Sequence, residues 1–505
     1  MNKKGFTLME IIVVIALLGA IMLLVVPNIT KNFKDSKKRL FYDNVVSLYT
    51  SAGRSFLLLD NPSNKTFSNS GNALDVDVSD DITYKIVVNS YGEVTSIYVT
   101  NGTYSYSKSN NNGIKKKDIK LDDIFEGTGD EDASAKVTLF DKLLEDNPTI
   151  SERTNFSTPF TTNTANTLYK ATENGTDVYY FTGKDTESTP INNWVKFGKY
   201  KSDLIKYRGF KDATTTWNFR EYFTMEECTS ASRYNYNCTA HKYASAGDDI
   251  YWRIIRTNAD GSIRLLFSGT SVNTIDGYIG KSAFNTSYKS PKYVGYMYGD
   301  SDTTLEEART NTNDSTIKTY IDNWYENNLT SYTNYLSNDA VYCNDRELRS
   351  GDTYSTSSSF EFKPTERLIT NKAPSYDCTN SKDAFSGNNI EAKLKYPIAL
   401  MTADEIVYAG GKGSLTAPMW YYTNSAYNSI TDSTFWFPLS SQDWDGSDSF
   451  VWFVGGSSSP GALYGVTVYD VNAVRPVVSL KSCTLYKSGN GSASSPYEIE
   501  MNGGC

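Results

Sequence analysis

The sequence predicts an α+β protein. A long amino-terminal helix, first transmembrane and then amphipathic, packs on a small antiparallel sheet, and a large β-rich α+β extracellular domain follows. Three observations predict this: an uncharged apolar run from Ile11 to Ile29, alternation of apolar and polar residues over 82–106, and short aromatic-rich segments throughout the later chain. At 505 residues the chain is too long for one typical core, so we expect more than one folded unit.

The amino terminus has the length and charge of a membrane-spanning helix. Lys3 and Lys4 precede the apolar run, and residues 6–29 cover roughly the 20 residues that a helix needs to cross a bilayer. The positive-inside rule places the amino end in the cytoplasm. The sequence therefore predicts a single-pass membrane protein with its bulk outside the cell.

The Gly5-Phe6 junction lies before the apolar run, whereas a secretory signal carries its cleavage site after that run. Glu10 interrupts the start of the run, and Pro27 lies near its end. This arrangement resembles the type IV pilin and pseudopilin family. The resemblance implies a leader, 1–5, cut after Gly5 by a prepilin peptidase, methylation of Phe6, a kink at Pro27 and assembly with other pilin-like subunits.

Glu10 also has a physical interpretation. A carboxylate in hydrocarbon is costly and persists with a partner. Cleavage after Gly5 would give Phe6 a free ammonium, and Glu10 of one subunit can pair with Phe6 of its neighbour, which fixes their register. The alternative is a plain signal anchor with a stray glutamate.

After Thr30, apolar residues recur at steps of three and four, which predicts an amphipathic continuation of the helix. They are Phe41, Val45, Leu48, Ala52, Phe56 and Leu59. Segments 82–88, 94–99 and 104–106 predict a three-stranded meander. In pilins the outer half of the helix lies against such a sheet, so we predict a pilin-like head at 30–150, including an amphipathic segment at 137–144.

A Thr-, Asn- and Ser-rich linker is predicted at 151–167. The module at 168–487 includes a predicted hairpin at 251–267 that carries arginines on one face. Ser315 or Asp314 can cap one helix, and Thr402 with Glu405 forms a capping box for another. The tail at 488–505 is expected to be tied by a disulfide.

The module has a W-R-I hairpin, a tryptophan-containing helix, an A-L-M-T-A-D-E segment and a late V-R-P-V-V-S-L strand. This order resembles a module of bacterial surface proteins and, distantly, the C-type-lectin-like fold of formylglycine-generating enzymes. The resemblance implies a binding domain for an extracellular ligand, a glycan or a protein. The reactive cysteines of those enzymes are not carried over, because the cysteines here are interpreted as paired.

All six cysteines follow the apolar run and fit no CxxC pattern, so we predict structural disulfides in an oxidising exterior, against the alternative of free buried thiols. They are Cys228, Cys238, Cys343, Cys378, Cys483 and Cys505. They form three sequence-neighbouring pairs, although six cysteines allow fifteen pairings.

Candidate chemistry is sparse. The single histidine, His241, is expected in a loop, which argues against histidine-based metal sites and relays. Asp443, Asp445 and Asp448 offer oxygen ligands to calcium, but a solvated turn is the preferred interpretation. No cofactor is expected. Core packing is preferred over sugar stacking for three clustered tryptophans, Trp436, Trp444 and Trp452.

The leading hypothesis is a minor, unusually large pilin-like surface subunit, not an enzyme, that displays a binding domain for adhesion or filament assembly. One alternative is a pseudopilin of a DNA-uptake or type II secretion apparatus. The net charge of -9 argues against direct contact with nucleic acid. Another alternative is a membrane-anchored enzyme acting on glycans, for which no clear acid/base pair is visible.

Overall fold

A computed structural model describes residues 34–58, 65–69, 71–89, 92–109, 113–127, 137–162, 165–185, 190–214, 219–272, 277–411, 419–421, 435–455 and 461–501. The chain divides into two compact units, Met1–Val137 and Thr138–Cys505. The described residues are mixed α+β and rich in strands, as predicted. The predicted membrane span at 6–29 lies outside them, and none of the described helices is long and apolar enough to cross a membrane.

In the first unit, residues 34–57 are helical (α1), and five strands form an antiparallel sheet in chain order. The strands are β1 (Lys65–Ser68), β2 (Thr83–Val88), β3 (Val94–Thr100), β4 (Tyr104–Ser109) and β5 (Phe125–Glu126). The predicted meander is confirmed as β2 to β4, with Ile86 opposite Ile97. Strands β1 and β5 extend the sheet at its two edges.

Helix α1 buries one face. Five residues of the predicted stripe are at most 4% exposed and share a core with sheet residues such as Ile97. They are Phe41, Val45, Leu48, Ala52 and Phe56. The hydroxyl of Tyr49 donates to the carbonyl of Ile114 at 2.6 Å. This bond ties the segment after β4 to the helix, while the sixth predicted residue, Leu59, lies outside the described residues.

The second unit contains a ten-stranded sheet and several smaller sheets. Its strands are β6 (Thr149–Glu152), β7 (Thr167–Glu173), β8 (Thr176–Tyr180), β9 (Trp194–Lys199), β10 (Leu204–Phe210), β11 (Phe219–Tyr222), β12 (Tyr236–Ala244), β13 (Asp249–Thr257), β14 (Ile263–Gly269), β15 (Gly280–Ala283), β16 (Met297–Tyr298), β17 (Asn313–Asp314), β18 (Tyr342–Cys343), β19 (Phe360–Glu361), β20 (Ala384–Phe385), β21 (Ile398–Leu400), β22 (Ser441–Trp444), β23 (Ser449–Val454), β24 (Leu463–Thr467), β25 (Val471–Val474), β26 (Pro476–Leu480), β27 (Tyr486–Ser488) and β28 (Tyr497–Ile499). Its α-helices are α2 (Leu139–Asp146), α3 (Met225–Ser230), α4 (Leu305–Ala308), α5 (Thr316–Asn328), α6 (Lys363–Thr365) and α7 (Ala403–Tyr408).

The large sheet holds the main core. Seven strands lie in the order β21, β26, β14, β13, β8, β7 and β6, and β9 pairs with both β13 and β28. The predicted hairpin is β13 and β14, with Trp252 opposite Phe267 and Ile254 opposite Leu265. The late strand β26 lies beside β14 and places Val478 opposite Leu265. Trp252, Leu265 and Val478 are fully buried.

The boundary between the units falls at Val137, earlier than predicted. Helix α2, which the sequence assigned to the head, buries Leu139 and Leu143 in the core of the second unit. Strand β6 pairs in parallel with β7, so the start of the predicted linker at 151–167 belongs to the large sheet. Strand β28, inside the predicted tail, also pairs with β9. The local sequence pattern predicts that α2 is amphipathic. It does not predict which of the two hydrophobic cores the apolar face of α2 packs into.

Candidate functional site

The predicted processing and assembly residues, Gly5, Phe6, Glu10 and Pro27, all lie outside the described residues. The site that the structure describes is a cluster of buried charges around β13, β14 and α7. The sequence predicts an arginine-bearing face on the β13–β14 hairpin. Two of its arginines, Arg256 and Arg264, turn inward and are only 2% and 1% exposed.

Glu405 of α7 joins these two arginines. Its Oε1 accepts hydrogen bonds from Arg256 Nε at 2.8 Å and from Arg264 Nη1 at 2.5 Å. Its Oε2 accepts the backbone N–H of Thr402 at 2.9 Å, which completes the predicted capping box. Glu173 of β7 lies 2.9 Å from Arg256 Nη2. Two buried arginines thus face two buried carboxylates.

A second layer surrounds this core of charges. Arg367 donates two hydrogen bonds to Asp404, both of 2.8 Å, and a third to Asp345 at 2.6 Å. The ring of Tyr376 covers Arg256, whose Cζ lies 4.2 Å from the ring centroid. Paired arginine–carboxylate bonds of this kind fix orientation as well as charge. They anchor α7 to the chain segment that carries Arg367.

The arginines favour the ionised form of Glu405. Burial would raise the pKa of Glu405, but Arg264 and Arg256 outweigh burial, and the pKa lies below its usual value. At Asp345 burial outweighs Arg367, and the pKa is raised. The cleft between these groups has a volume of about 10 Å³, the space of one water. The network is therefore suited to hold α7 against the hairpin.

Two disulfides confirm that sequence neighbours pair. They are Cys228–Cys238 and Cys343–Cys378, with Cα atoms 6.1 Å and 5.7 Å apart. The second closes the loop that supplies Arg367 and Tyr376 to the charge network. Cys483 is also disulfide-bonded, and Cys505 lies outside the described residues.

Two of the three aspartates proposed as calcium ligands, Asp445 and Asp448, lie in a hydrogen-bonded turn. Asp445 Oδ1 accepts the backbone N–H groups of Ser447 at 2.8 Å and Asp448 at 2.7 Å. Asp443 lies on the preceding strand, β22. Nowhere in the described chain do three His, Cys, Asp or Glu side chains gather to hold a metal ion. Asp445 thus closes this turn through its own hydrogen bonds, and calcium binding by the three aspartates stays an alternative to the turn.

The clustered tryptophans are core residues, at most 4% exposed: Trp436, Trp444 and Trp452.

The loop prediction for His241 is wrong, because the residue lies in β12 opposite Lys206. Its Nε2 is 3.1 Å from the hydroxyl of Thr239. Burial, followed by Arg208, lowers the pKa of His241.

Sequence reasoning missed a pair of carboxylates. Glu361 of β19 and Asp443 of β22 lie directly opposite each other on antiparallel strands. Burial, then Glu361 and Asp445, raise the pKa of Asp443 to about 6. Arg349 lies 2.7 Å from Glu361. The two acidic residues are far apart in the chain and share no motif, so only the pairing of the strands reveals them.

Exposed aromatic rings gather near the edge strand β24. Tyr464 is 38% exposed, and its ring centroid lies 5.6 Å from that of Phe453. Tyr469 is 43% exposed and lies 4.5 Å from Tyr288. Rings with an apolar face and a polar hydroxyl are typical of contact surfaces. Sequence periodicity predicted strands here but did not reveal which rings face solvent.

Comparison with known proteins adds evidence at the amino terminus. A family model described as the prokaryotic N-terminal methylation motif matches residues 1–26. No curated protein and no solved structure matches the chain. The motif supports a substrate of a prepilin peptidase of the type IV pilin or pseudopilin kind, and it implies assembly with pilin-like subunits and anchoring of a surface protein in the membrane. The likeness of the module at 168–487 to lectin-like folds stays a prediction.

Proposed function

We propose that this chain, which begins with a type IV prepilin motif, is a minor pilin-like subunit that carries a large binding unit to the outside of the cell. The observation that carries the proposal is the methylation motif at residues 1–26 in a chain whose second unit, Thr138–Cys505, has a core of its own. The motif supports cleavage after Gly5. The size of the second unit supports a role in presenting that unit for adhesion or filament assembly.

Glu10 is the residue that joins subunits in this proposal. Its carboxylate needs a cation within the hydrocarbon layer, and the new amino group of Phe6 on a neighbouring subunit supplies one. The pairing sets the axial register of one helix against the next. It also restricts assembly to subunits that the peptidase has already cut.

The size of the second unit favours a low copy number of this chain in a filament. The repeated subunits of a filament shaft lie close together, and an additional folded unit larger than the head itself is easier to place at a tip or at rare positions. The exposed rings of Tyr464 and Tyr469 near β24 offer contact surface to an extracellular glycan or protein.

Quantitative mass spectrometry of filaments sheared from cells tests this function. We expect the wild-type chain in the sheared fraction at far below one copy per main subunit. Glu10→Ala should still be cut after Gly5 but remain with the cells. A matched control, Glu326→Ala, removes a half-exposed carboxylate of the second unit and should behave as wild type.

Three results would contradict the proposal in different ways. If the copy number of this chain in filaments is close to that of the main subunit, the chain is a subunit of the filament shaft. Recovery of the Glu10→Ala chain in the sheared fraction at the wild-type level would show that Glu10 does not join the subunits. Absence of the wild-type chain from sheared material, with normal cleavage, favours a pseudopilin of a secretion or DNA-uptake apparatus.

A glycan-acting enzyme is a second candidate that one observation favours. Glycosidases use a pair of carboxylates, one of which has a raised pKa. Asp443 lies opposite Glu361 on paired strands and has its pKa raised to about 6, which supports this candidate. Loss of glycan hydrolysis in Asp443→Asn, with ligand binding retained, would support that candidate over a binding role alone.

A further inference from the structure

Helix α5 contains a buried lysine between two carboxylates. Lys318 is 1% exposed, and its Nζ lies 2.7 Å from Asp322 Oδ2 and 3.2 Å from Asp314 Oδ1. Residues four apart share one face of a helix, so Lys318 and Asp322 meet without distortion. Asp322 is 5% exposed, whereas the side chain of Asp314 is 38% exposed. The carboxylate of Asp322, nearer to Lys318, is therefore buried, and the carboxylate of Asp314 reaches solvent.

A simple ion pair leaves this site incompletely bonded. Among the described residues, neither Oδ1 of Asp322 nor the hydroxyl of Tyr296 has a hydrogen-bond partner, and both are buried. Burial raises the pKa of Asp322, although Lys318 opposes the rise. Burial, together with Asp322 and Asp314, also raises the pKa of Tyr296. A buried carboxylate with a bare oxygen is costly, so the site favours any change that removes its charge.

We propose that Lys318 and Asp322 condense to a side-chain amide that cross-links one turn of α5. Asp314 takes a proton from the Lys318 ammonium, and the freed amine attacks Cγ of Asp322. The Nζ–Cγ bond forms while one Cγ–O bond breaks. Asp314 passes its proton to the departing oxygen, which leaves as water with two of the three ammonium protons, and the third stays on the amide nitrogen. Nothing is oxidised or reduced.

The geometry supplies what this reaction needs. The contact holds the nucleophile beside the carboxyl carbon, and such fixed placement is equivalent to concentrations of about 10⁵–10⁸ M in well-oriented intramolecular reactions. Asp314 acts as general base at the solvent-facing end, where the released water escapes. The amide is neutral, so the product removes two buried charges at once.

The chain contains a matched comparison pair. Lys142 and Asp146 of α2 have the same spacing and an Nζ–Oδ1 distance of 2.8 Å, but their side chains are 18% and 21% exposed. Solvent stabilises both charges there, and Asp146 Oδ2 also accepts a hydrogen bond from the hydroxyl of Tyr497 at 2.9 Å, whereas Oδ1 of Asp322 has no partner among the described residues. We expect condensation at Lys318 and none at Lys142.

Tryptic mapping of the reduced full-length chain, purified from cells, tests the proposal. Without the cross-link, trypsin cuts after Lys318 and yields peptides 310–318 and 319–346. An amide at Lys318 blocks that cut, so we expect the single peptide 310–346, lighter by the mass of one water. Trypsin should cut after Lys142 normally.

Variants separate the chemistry from the fold. Lys318→Arg keeps the cation but cannot form the amide, so its peptides should keep their full mass. Asp314→Asn should lower the cross-linked fraction while leaving the circular dichroism spectrum unchanged. Recovery of wild-type 310–318 and 319–346 as separate peptides of full mass overturns the proposal. Loss of water from 319–346 with Lys318 still cut overturns it too, because that marks a succinimide at an aspartate.

Discussion

Replacing Glu405 by glutamine removes the charge that two buried arginines share. Glu405→Gln keeps the size of the side chain and one acceptor oxygen. Among the described residues it leaves Arg256 with Glu173 alone and Arg264 with no ion-pair partner. Removing one partner of a buried ion pair costs about 3–5 kcal/mol. We expect a loss of that size in the free energy of unfolding of the second unit.

A second substitution tests whether charge, and not packing, causes the loss. Arg264→Met in the Glu405→Gln chain removes the excess cation, so the double variant should regain about 1–3 kcal/mol over the single variant. The surface pair Lys395–Glu326, 3.5 Å apart and more than half exposed, provides the control. Glu326→Gln should cost less than about 1 kcal/mol.

Urea unfolding followed by tryptophan fluorescence isolates the right unit, because all eight tryptophans lie in Thr138–Cys505. The expected order of unfolding midpoints is wild type close to Glu326→Gln, then the double variant, then Glu405→Gln. If Glu405→Gln and Glu326→Gln unfold at the same midpoint, the network does not hold the unit together. A double variant weaker than Glu405→Gln would refute the charge-balance argument.

Three further predictions concern other parts of the second unit. Because burial raises the folded-state pKa of Asp443 to about 6, stability should fall as pH rises from about 4 to about 6. Asp443→Asn should flatten that profile and stabilise the neutral protein by about 1–2 kcal/mol, allowing for partial exposure, as measured by urea unfolding at each pH. Gly209→Ala should destabilise β10 to β12 by about 1–3 kcal/mol or more, because a Cβ would lie 1.9 Å from the carbonyl oxygen of Tyr234. The loss of stability should appear as faster proteolysis of 204–244, and an unchanged rate of proteolysis would contradict the prediction. Replacing Cys343 and Cys378 by serine opens a loop of sequence separation 35, which should cost about 4 kcal/mol by chain entropy; an unchanged thermal midpoint would show that the charge network alone holds the loop.

Local patterns predicted the elements whose signal lies within a few residues. The stripe from Phe41 to Phe56 and the strands β2 to β4 follow from periodicity alone. The capping box of Thr402 and Glu405 was also visible, because both partners lie within one helical turn. Short edge strands such as β1 and β5 carry too few residues to show alternation.

Contacts between residues far apart in the chain could not be predicted from local sequence patterns. The hairpin arginines were visible as a pattern, but Arg264 meets Glu405, which lies 141 residues later. The same holds for α2, whose apolar face was clear while its core was not, and for Asp443, which meets Glu361 only through strand pairing. The loop prediction for His241 fails because its segment shows no apolar alternation, yet that segment, β12, pairs with β10.

The amino terminus of the mature protein tests the central claim most directly. We would compare it by mass spectrometry in cells with and without their prepilin peptidase. The account predicts a chain that begins with N-methylated Phe6 when the peptidase is present and retains Met1 when it is absent. Retention of Met1 in both strains would contradict the account and leave a plain membrane-anchored surface protein.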